Sequence, residues 1–388
     1  MRILQVTSFF SPSRGGGGIA VAYQLSKSLA QRGHEVTVYT SDFELDQEYI
    51  NTIQSHGVRV NTFRSWLNLV TLHITPGMIK ELKKQLGEYD IIHFHNTRTF
   101  QNIVLSNYAK AYGIPYIIDA HGLNTVVGRR ILKWFFDSAF GDKILKNASR
   151  VIAETELGVN EYRDFGIDEH RIIRLFPPVD TEQFSKLPTP GLFRDKFNIK
   201  EKHIIMYLGR IHQGKGLGFI VESFYQLAQQ NSDVFLVIVG SDDGYQVALA
   251  NEINNLKLSD RTLFTGFLAG EEKLSALVDA DVMVVPSKYE QGLAWASLEA
   301  VMCDTPIIVS KDTGAGEDVV RMGGGYLVEY GDKKELANTI QWILNNPVEA
   351  TSNTEKAKEY IKANLSISKK IEDYEKIYLE CIAESQGL

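Results

Sequence analysis

Two acids frame the segment Pro286-Ser-Lys-Tyr-Glu-Gln-Gly-Leu-Ala-Trp-Ala-Ser-Leu-Glu-Ala300. Glu290 falls in a glycine-containing turn after an apolar strand, and Glu299 follows at the start of a helical run. Carboxylates placed this way can accept hydrogen bonds from neighbouring sugar hydroxyls. Backbone N–H groups of the turn at Gln291, Gly292 and Leu293, and of the helix start, are free to meet negative charge. The segment therefore suits a sugar and a phosphate together.

A second group of residues points to phosphate. Gly209-Arg-Ile-His-Gln-Gly-Lys-Gly216 follows a strand, where open α/β sheets bind ligands. Arg210 offers a planar fork and Lys215 a point charge, both suited to a diphosphate. Ser11-Pro-Ser-Arg-Gly-Gly-Gly-Gly18 reads as a loop whose glycines expose backbone N–H groups ahead of a helix. Gly15, Gly17 and Ala20, with Asp42 further on, also fit a dinucleotide fingerprint, but a proline-containing loop separates the first glycine from its strand. Asp119-Ala-His-Gly122 closes another strand, and His121 there could bond a sugar hydroxyl or be an inert loop histidine. His93 and His95 share one strand face with no third ligand clustered nearby, so no metal site is expected.

The elements that must hold these residues alternate. Apolar runs at Ile3–Val6, Glu35–Thr40, Asp90–His95, Pro115–Asp119 and Arg150–Ala153 interleave with helical segments, the first over Ile19–Arg32. A second series follows at His203–Leu208, Val234–Val239, Asp281–Val285 and Thr305–Val309. Between them lie Phe176-Pro-Pro-Val-Asp180 and Leu187-Pro-Thr-Pro-Gly191, the densest proline cluster of the chain. The fold class is α/β with two doubly wound, Rossmann-like domains, residues 1–183 and 184–365. The helical stretch Asn353–Glu384 ends the chain, and residues 366–388 are expected to form a helix that could pack back on the first domain.

With 388 residues, two domains are the default. The net charge of −7 argues against nucleic-acid binding. It is uneven: residues 1–190 carry 21 Lys+Arg against 19 Asp+Glu, and the remainder 20 against 29. The first half is therefore the one suited to an anionic partner. Cys303 and Cys381 form no framework and read as buried apolar residues of a reducing compartment. No apolar run is long enough to span a membrane, and the chain opens as a strand, so a cytoplasmic protein is expected. Arg129-Arg-Ile-Leu-Lys-Trp-Phe-Phe-Asp-Ser-Ala-Phe140 reads as an amphipathic helix packed on the sheet. Its alternative is a peripheral helix on the inner face of an anionic membrane.

Taken together, these residues resemble glycosyltransferase family 4, retaining enzymes of the GT-B architecture. The resemblance rests on the N-terminal glycine segment, Gly33-His-Glu-Val-Thr-Val, Asp90-Ile-Ile-His-Phe-His, Ala120-His-Gly, Pro178-Val-Asp180, Gly209-Arg…Lys215-Gly, Phe264-Thr-Gly-Phe267 and Pro286-Ser…Leu298-Glu-Ala300. It implies a nucleotide-sugar donor, of UDP or GDP type, in a cleft between the domains. The acceptor, a glycan or lipid-linked glycan, would lie mainly on the first domain. It implies further that Arg210 and Lys215 hold the diphosphate, Glu299 the ribose, and Gly266 and Phe267 the base. His121 would stand beside the transferred sugar, and Gly16 and Gly17 would approach the phosphates or the sugar. Hexosyl transfer without cofactor is implied, with configuration retained by front-face attack.

One departure concerns the first acid. The family separates its two acids by seven residues, whereas Glu290 and Glu299 have eight between them. Either the turn carries one extra residue and Glu290 serves, the preferred reading, or Gln291 stands in its place. Asp304 is also found where the family often has glycine. Two alternatives stay open: a nicotinamide-dependent dehydrogenase, on the glycine segment and Asp42, and a non-catalytic sugar-nucleotide binder, on Gln291.

Overall fold

The computed structural model describes residues 1–69, 72–123, 136–288 and 294–387, without the side chains of residues 13–15 and 69. It divides into two compact units, Met1–Asp180 with Leu365–Leu388, and Thr181–Asn364.

The first unit is built on seven parallel strands. These are β1 (Arg2–Val6), β2 (Glu35–Ser41), β3 (Arg59–Phe63), β6 (Ile91–His95), β7 (Tyr116–Asp119), β8 (Arg150–Ala153) and β9 (Ile172–Arg174). Their order is β3-β2-β1-β6-β7-β8-β9. A short antiparallel hairpin, β4 (Leu67–Leu69) and β5 (Leu72–Ile74), follows β3. Consecutive strand residues face opposite ways, so Leu4, Ile92 and Ile118 join one apolar cluster while Ile3, Ile91 and Ile117 join the other. Burial on both faces is what makes the central strands continuous apolar runs.

The helix Pro12–Gln31 begins seven residues before the expected start, and takes in most of the glycine segment expected as a loop. Ser11 is extended at the N-cap and Pro12 supplies a helical φ at the first position. The helix is broken at Gly16, with φ 51° and ψ −143°, a conformation available to glycine. Beyond it Ile19, Ala22, Leu25 and Leu29 are buried on the sheet.

The second unit holds β10 (His203–Leu208), β11 (Val234–Val239), β12 (Thr262–Gly266), β13 (Val282–Val285), β14 (Ile307–Ser310) and β15 (Tyr326–Val328). The order is β12-β11-β10-β13-β14-β15, all parallel. The chain thus reverses its winding between β10 and β13, the place where such sheets open a crevice at their carboxyl ends. Helix Leu217–Gln230 buries Leu217, Ile220, Val221, Phe224 and Leu227 against Leu336, Ile340 and Ile343 of helix Lys333–Asn345.

The final helical stretch is two helices, Pro347–Asn364 and Ile367–Ser385. They are parted because Val179 interrupts the ladder: its N–H donates to Leu365 O (2.8 Å) and its O accepts from Ile367 N (2.9 Å). Ile367–Ser385 then buries Ile371, Tyr374, Tyr378 and Cys381 in the core of the first unit. Both cysteines are buried and unpaired. No helix among the described residues is long and apolar enough to cross a membrane.

Candidate functional site

The expected residues of the first unit gather at the carboxyl ends of its strands. His121 lies just past β7 in a left-handed conformation, φ 49°. Its Nδ1 is 2.8 Å from Glu154 Oε1, one residue beyond β8, and 3.3 Å from Asp119 Oδ1. Asp119 is fully buried and Glu154 nearly so. Burial lowers the proton affinity of the imidazole, but Asp119 and Glu154 outweigh it and raise its pKa to about 9. Burial pushes the Asp119 carboxyl well above its usual range, against the pull of His121. The ligand atoms of Asp119, His121 and Glu154 lie within 4.8 Å of one another, a spacing a cation could bridge. Here the imidazole Nδ1 already stands between the two carboxylates.

The glycine segment meets this cluster directly. A Cβ on Gly18 would come 2.8 Å from His121 Cδ2, so any larger residue there would have to displace the ring. Gly16 forms the helix break, and Gly17 lies half-buried between them.

His93 and His95 are fully buried with ring centroids 4.3 Å apart. Their ring nitrogens meet Tyr378, Gln5 and His121. Burial holds the pKa of His93 near 3 and that of His95 well below normal, so both are neutral.

In the second unit, Arg210 follows β10 and its Nη1 donates to Asp243 Oδ2 at 2.7 Å. Half of its side chain is exposed. Lys215 closes the short turn Gln213–Lys215, directly before helix Leu217–Gln230. Gly216 separates them with φ 74°, and a Cβ there would strike Pro286 O at 2.0 Å. This close approach joins the loop after β10 to the loop after β13. Glu299 lies within helix Trp295–Met302, nearly buried, and accepts from Lys273 Nζ at 2.6 Å. Gly266 ends β12 with φ 74°, and Phe267 beyond it is 43% exposed. Glu290, Gln291, Gly292 and Leu293 lie outside the described residues.

Residues 191–364 match the family model of Glycosyl transferases group 1, and residues 15–183 that of Glycosyltransferase Family 4. The chain is a glycosyltransferase of the family 4 type. It is similar to N-acetyl-alpha-D-glucosaminyl L-malate synthase of Bacillus anthracis, with 25% identity over 97% of both chains. It is also 24% identical to a GDP-mannose-dependent alpha-(1-6)-phosphatidylinositol monomannoside mannosyltransferase of Mycolicibacterium smegmatis, over 90% of this chain and 91% of that one. Among solved structures, Anabaena HepE in complex with UDP aligns over all of both chains, with a TM-score of 0.77 and 18% identity. The fold is GT-B, two Rossmann-like units.

In this glycosyltransferase the dinucleotide fingerprint has another explanation. Asp42 lies one residue past β2 and its Oδ1 accepts from Ser65 N at 2.8 Å, which ties down the entry to the β4–β5 hairpin. Three side chains around the expected residues carried no motif of their own: Glu154, Lys273 and Tyr378. Glu154 had a faint signal, as an acid ending an apolar strand. Lys273 and Tyr378 meet their partners 26 and 285 residues away, a relationship no local spacing encodes. The basic-aromatic stretch lies mostly outside the described residues; of its aromatics, Phe140 is 44% exposed.

Proposed function

We propose that this glycosyltransferase moves a sugar from a nucleoside-diphosphate sugar, of UDP or GDP type, to a glycan or lipid-linked acceptor with retention of configuration. One observation carries the reading. The neighbouring strands β10 and β13 send Arg210, Lys215 and Glu299 to the loops and helix at the winding reversal of the second unit.

Arg210 and Lys215 take the diphosphate, and the N-terminus of helix Leu217–Gln230 adds partial positive charge. They stabilise the leaving group electrostatically, so a resident metal is not part of the proposal. Glu299 accepts from the ribose hydroxyls, and the exposed ring of Phe267, beside Gly266, serves the base. On the first unit, His121 is assigned to the transferred sugar and Gly16 and Gly17 to the close approach of the ligand. The leaving phosphate assists deprotonation of the acceptor in front-face attack. The donor class is supported by the relatives: one acts with GDP-mannose by name, and the HepE structures hold UDP or UDP-glucose.

A thermal-shift panel with UDP, GDP, ADP, TDP and NAD tests this. A nucleoside diphosphate at about 100 times its Kd stabilises the native state by roughly 2.7 kcal/mol. Stabilisation by one of them, lost in Lys215→Ala and Glu299→Ala variants that still fold, is the expected result. A response to NAD alone would sink the reading. Co-sedimentation with anionic vesicles at low salt tests the peripheral membrane contact; protein left in the supernatant removes that part.

A further inference from the structure

A chain of buried polar groups links the C-terminal helix to His121. Tyr378 OH lies 2.8 Å from His93 Nδ1, and Gln5 Nε2 donates to it at 3.3 Å. Gln5 Oε1 is 2.7 Å from His95 Nε2, and His95 Nδ1 is 3.2 Å from His121 Nε2. His121 Nδ1 ends the chain on Glu154. Gln5, His93, His95 and Tyr378 are fully buried, so solvent is not at hand to replace a missing partner.

Each contact needs one donor and one acceptor. The Gln5 amide gives its N–H to Tyr378 OH, which leaves its carbonyl facing His95. The Gln5 carbonyl then takes a proton-bearing Nε2 of His95. A neutral His95 with its proton on Nε2 has only an acceptor at Nδ1. His121 must therefore donate from Nε2 as well as from Nδ1 to Glu154, and is an imidazolium. The opposite tautomer of His95 would place an N–H against His121 Nε2 and make His121 neutral.

We propose that Tyr378, acting through Gln5 and His95, is a positioning residue that holds His121 as a doubly donating imidazolium. The proposal rests on the assignment of His121 to the transferred sugar. A fixed cation there turns its Cδ2 edge toward Gly18 of the glycine segment. The raised proton affinity of His121 agrees with this. Among the described residues, the titratable groups of the neighbouring elements are Asp119 on β7, Glu154 after β8, His93 and His95 on β6, Glu161 and Tyr162 on helix Glu156–Asp164, and Tyr374 and Tyr378 on the C-terminal helix. Helix Pro12–Gln31 meets the ring with Gly18, which carries no charge. The C-terminal helix thereby has a part in the site beyond closing the core.

The test is a two-bond nitrogen–proton correlation on the full-length chain labelled with 15N-histidine, followed across pH. In the wild type, His121 is expected protonated at both nitrogens at neutral pH, and His95 as the Nε2–H tautomer. Tyr378→Phe and Gln5→Met each release His95 to take its proton on Nδ1. Both should lower the His121 midpoint by about one pH unit, the worth of one hydrogen bond. Tyr374→Phe is the control: that hydroxyl is equally buried but has no hydrogen-bond partner among the described residues, so the midpoint should not move. An Nδ1–H tautomer of His95 in the wild type overturns the proposal, as does an unmoved midpoint in the folded variants. Sugar transfer is measured alongside. A moved midpoint in a chain that transfers nothing supports the relay and counts only against the assignment of the site.

Discussion

Lys273 Nζ stands 2.6 Å from Glu299 Oε1, joining helix Gly270–Asp279 to helix Trp295–Met302. Glu299 is almost entirely buried, while Lys273 keeps about a quarter of its side chain in water. One carboxylate oxygen is thus held by a fixed cation, which sets the direction of the other. Lys273→Met should cost about 1–3 kcal/mol, because it leaves a nearly buried carboxylate without its partner. It should also weaken nucleoside-diphosphate binding by roughly tenfold, as for the loss of one well-placed hydrogen bond. Calorimetric unfolding and titration check both. A Lys273→Met/Glu299→Gln double variant should recover stability but not binding, since the two effects have different origins.

Gly18→Ala tests the contact between the glycine segment and His121. In an open helix, alanine would gain about 1 kcal/mol over glycine. Here its Cβ would lie 2.8 Å from a ring held by Glu154, Asp119 and His95. A net loss of about 1–3 kcal/mol is expected, as for other overpacked sites. A stabilised variant would show that His121 is free to swing aside.

Stability against pH follows from the histidines. His93 and His95 have folded pKa values far below the unfolded value, so the unfolded chain binds more protons as pH falls. Their contribution is present above about pH 6.5 and is lost on acidification below it. For His121 the folded value, about 9, lies above the unfolded one. Its contribution is present below about pH 6.5 and is lost as pH rises through 9. Each slope is about 1.4 kcal/mol per pH unit for each group. Denaturation midpoints measured from pH 5 to 10 should therefore fall on both sides of near-neutral pH. Glu154→Gln should flatten the alkaline side by removing one of the charges that raise His121.

Arg98 joins two points on either side of residues 124–135. Its Nε and Nη2 donate to the two oxygens of Asp137, at 2.9 and 2.8 Å, and its Nη1 donates to Leu123 O at 2.8 Å. Both side chains are largely buried. Arg98→Ala should lose about 3 kcal/mol or more. Arg98→Lys should restore little of it, because an ammonium cannot fill a forked, three-bond site. Equal stability of the lysine variant and the wild type would refute the forked geometry.

The strands legible in the sequence were β1, β2, β6, β7 and β8, and then β10, β11, β13 and β14. Those it did not reveal as strands were β3, β9, β12 and β15, together with the hairpin. These four are the outer strands of the two sheets. Central strands are buried on both faces and must be apolar throughout, so they announce themselves. An edge strand such as Arg59-Val-Asn-Thr-Phe63 is half-exposed and is a strand because β2 offers it a ladder. The candidate residues Arg210, Lys215 and His121, just past strands, and Glu299, inside a helix, stood out for a related reason. Glycines, chargeable groups and strand ends occur together locally.

What sequence spacing could not supply was the pairing across distance. His121 alone is an ordinary loop histidine. Its charge comes from Asp119 and Glu154, and its bond at Nε2 from His95, all brought near by the order of β6, β7 and β8. Tyr378 sits in a lysine-rich, polar-looking stretch, and it becomes core because Val179 breaks that stretch and returns its second half to the first unit. Local pattern therefore determined the alternating fold and the residue types at the strand ends. Tertiary structure decided the protonation and orientation of those residues, because electrostatic and hydrogen-bond energies depend on distances in space that a linear chain does not carry.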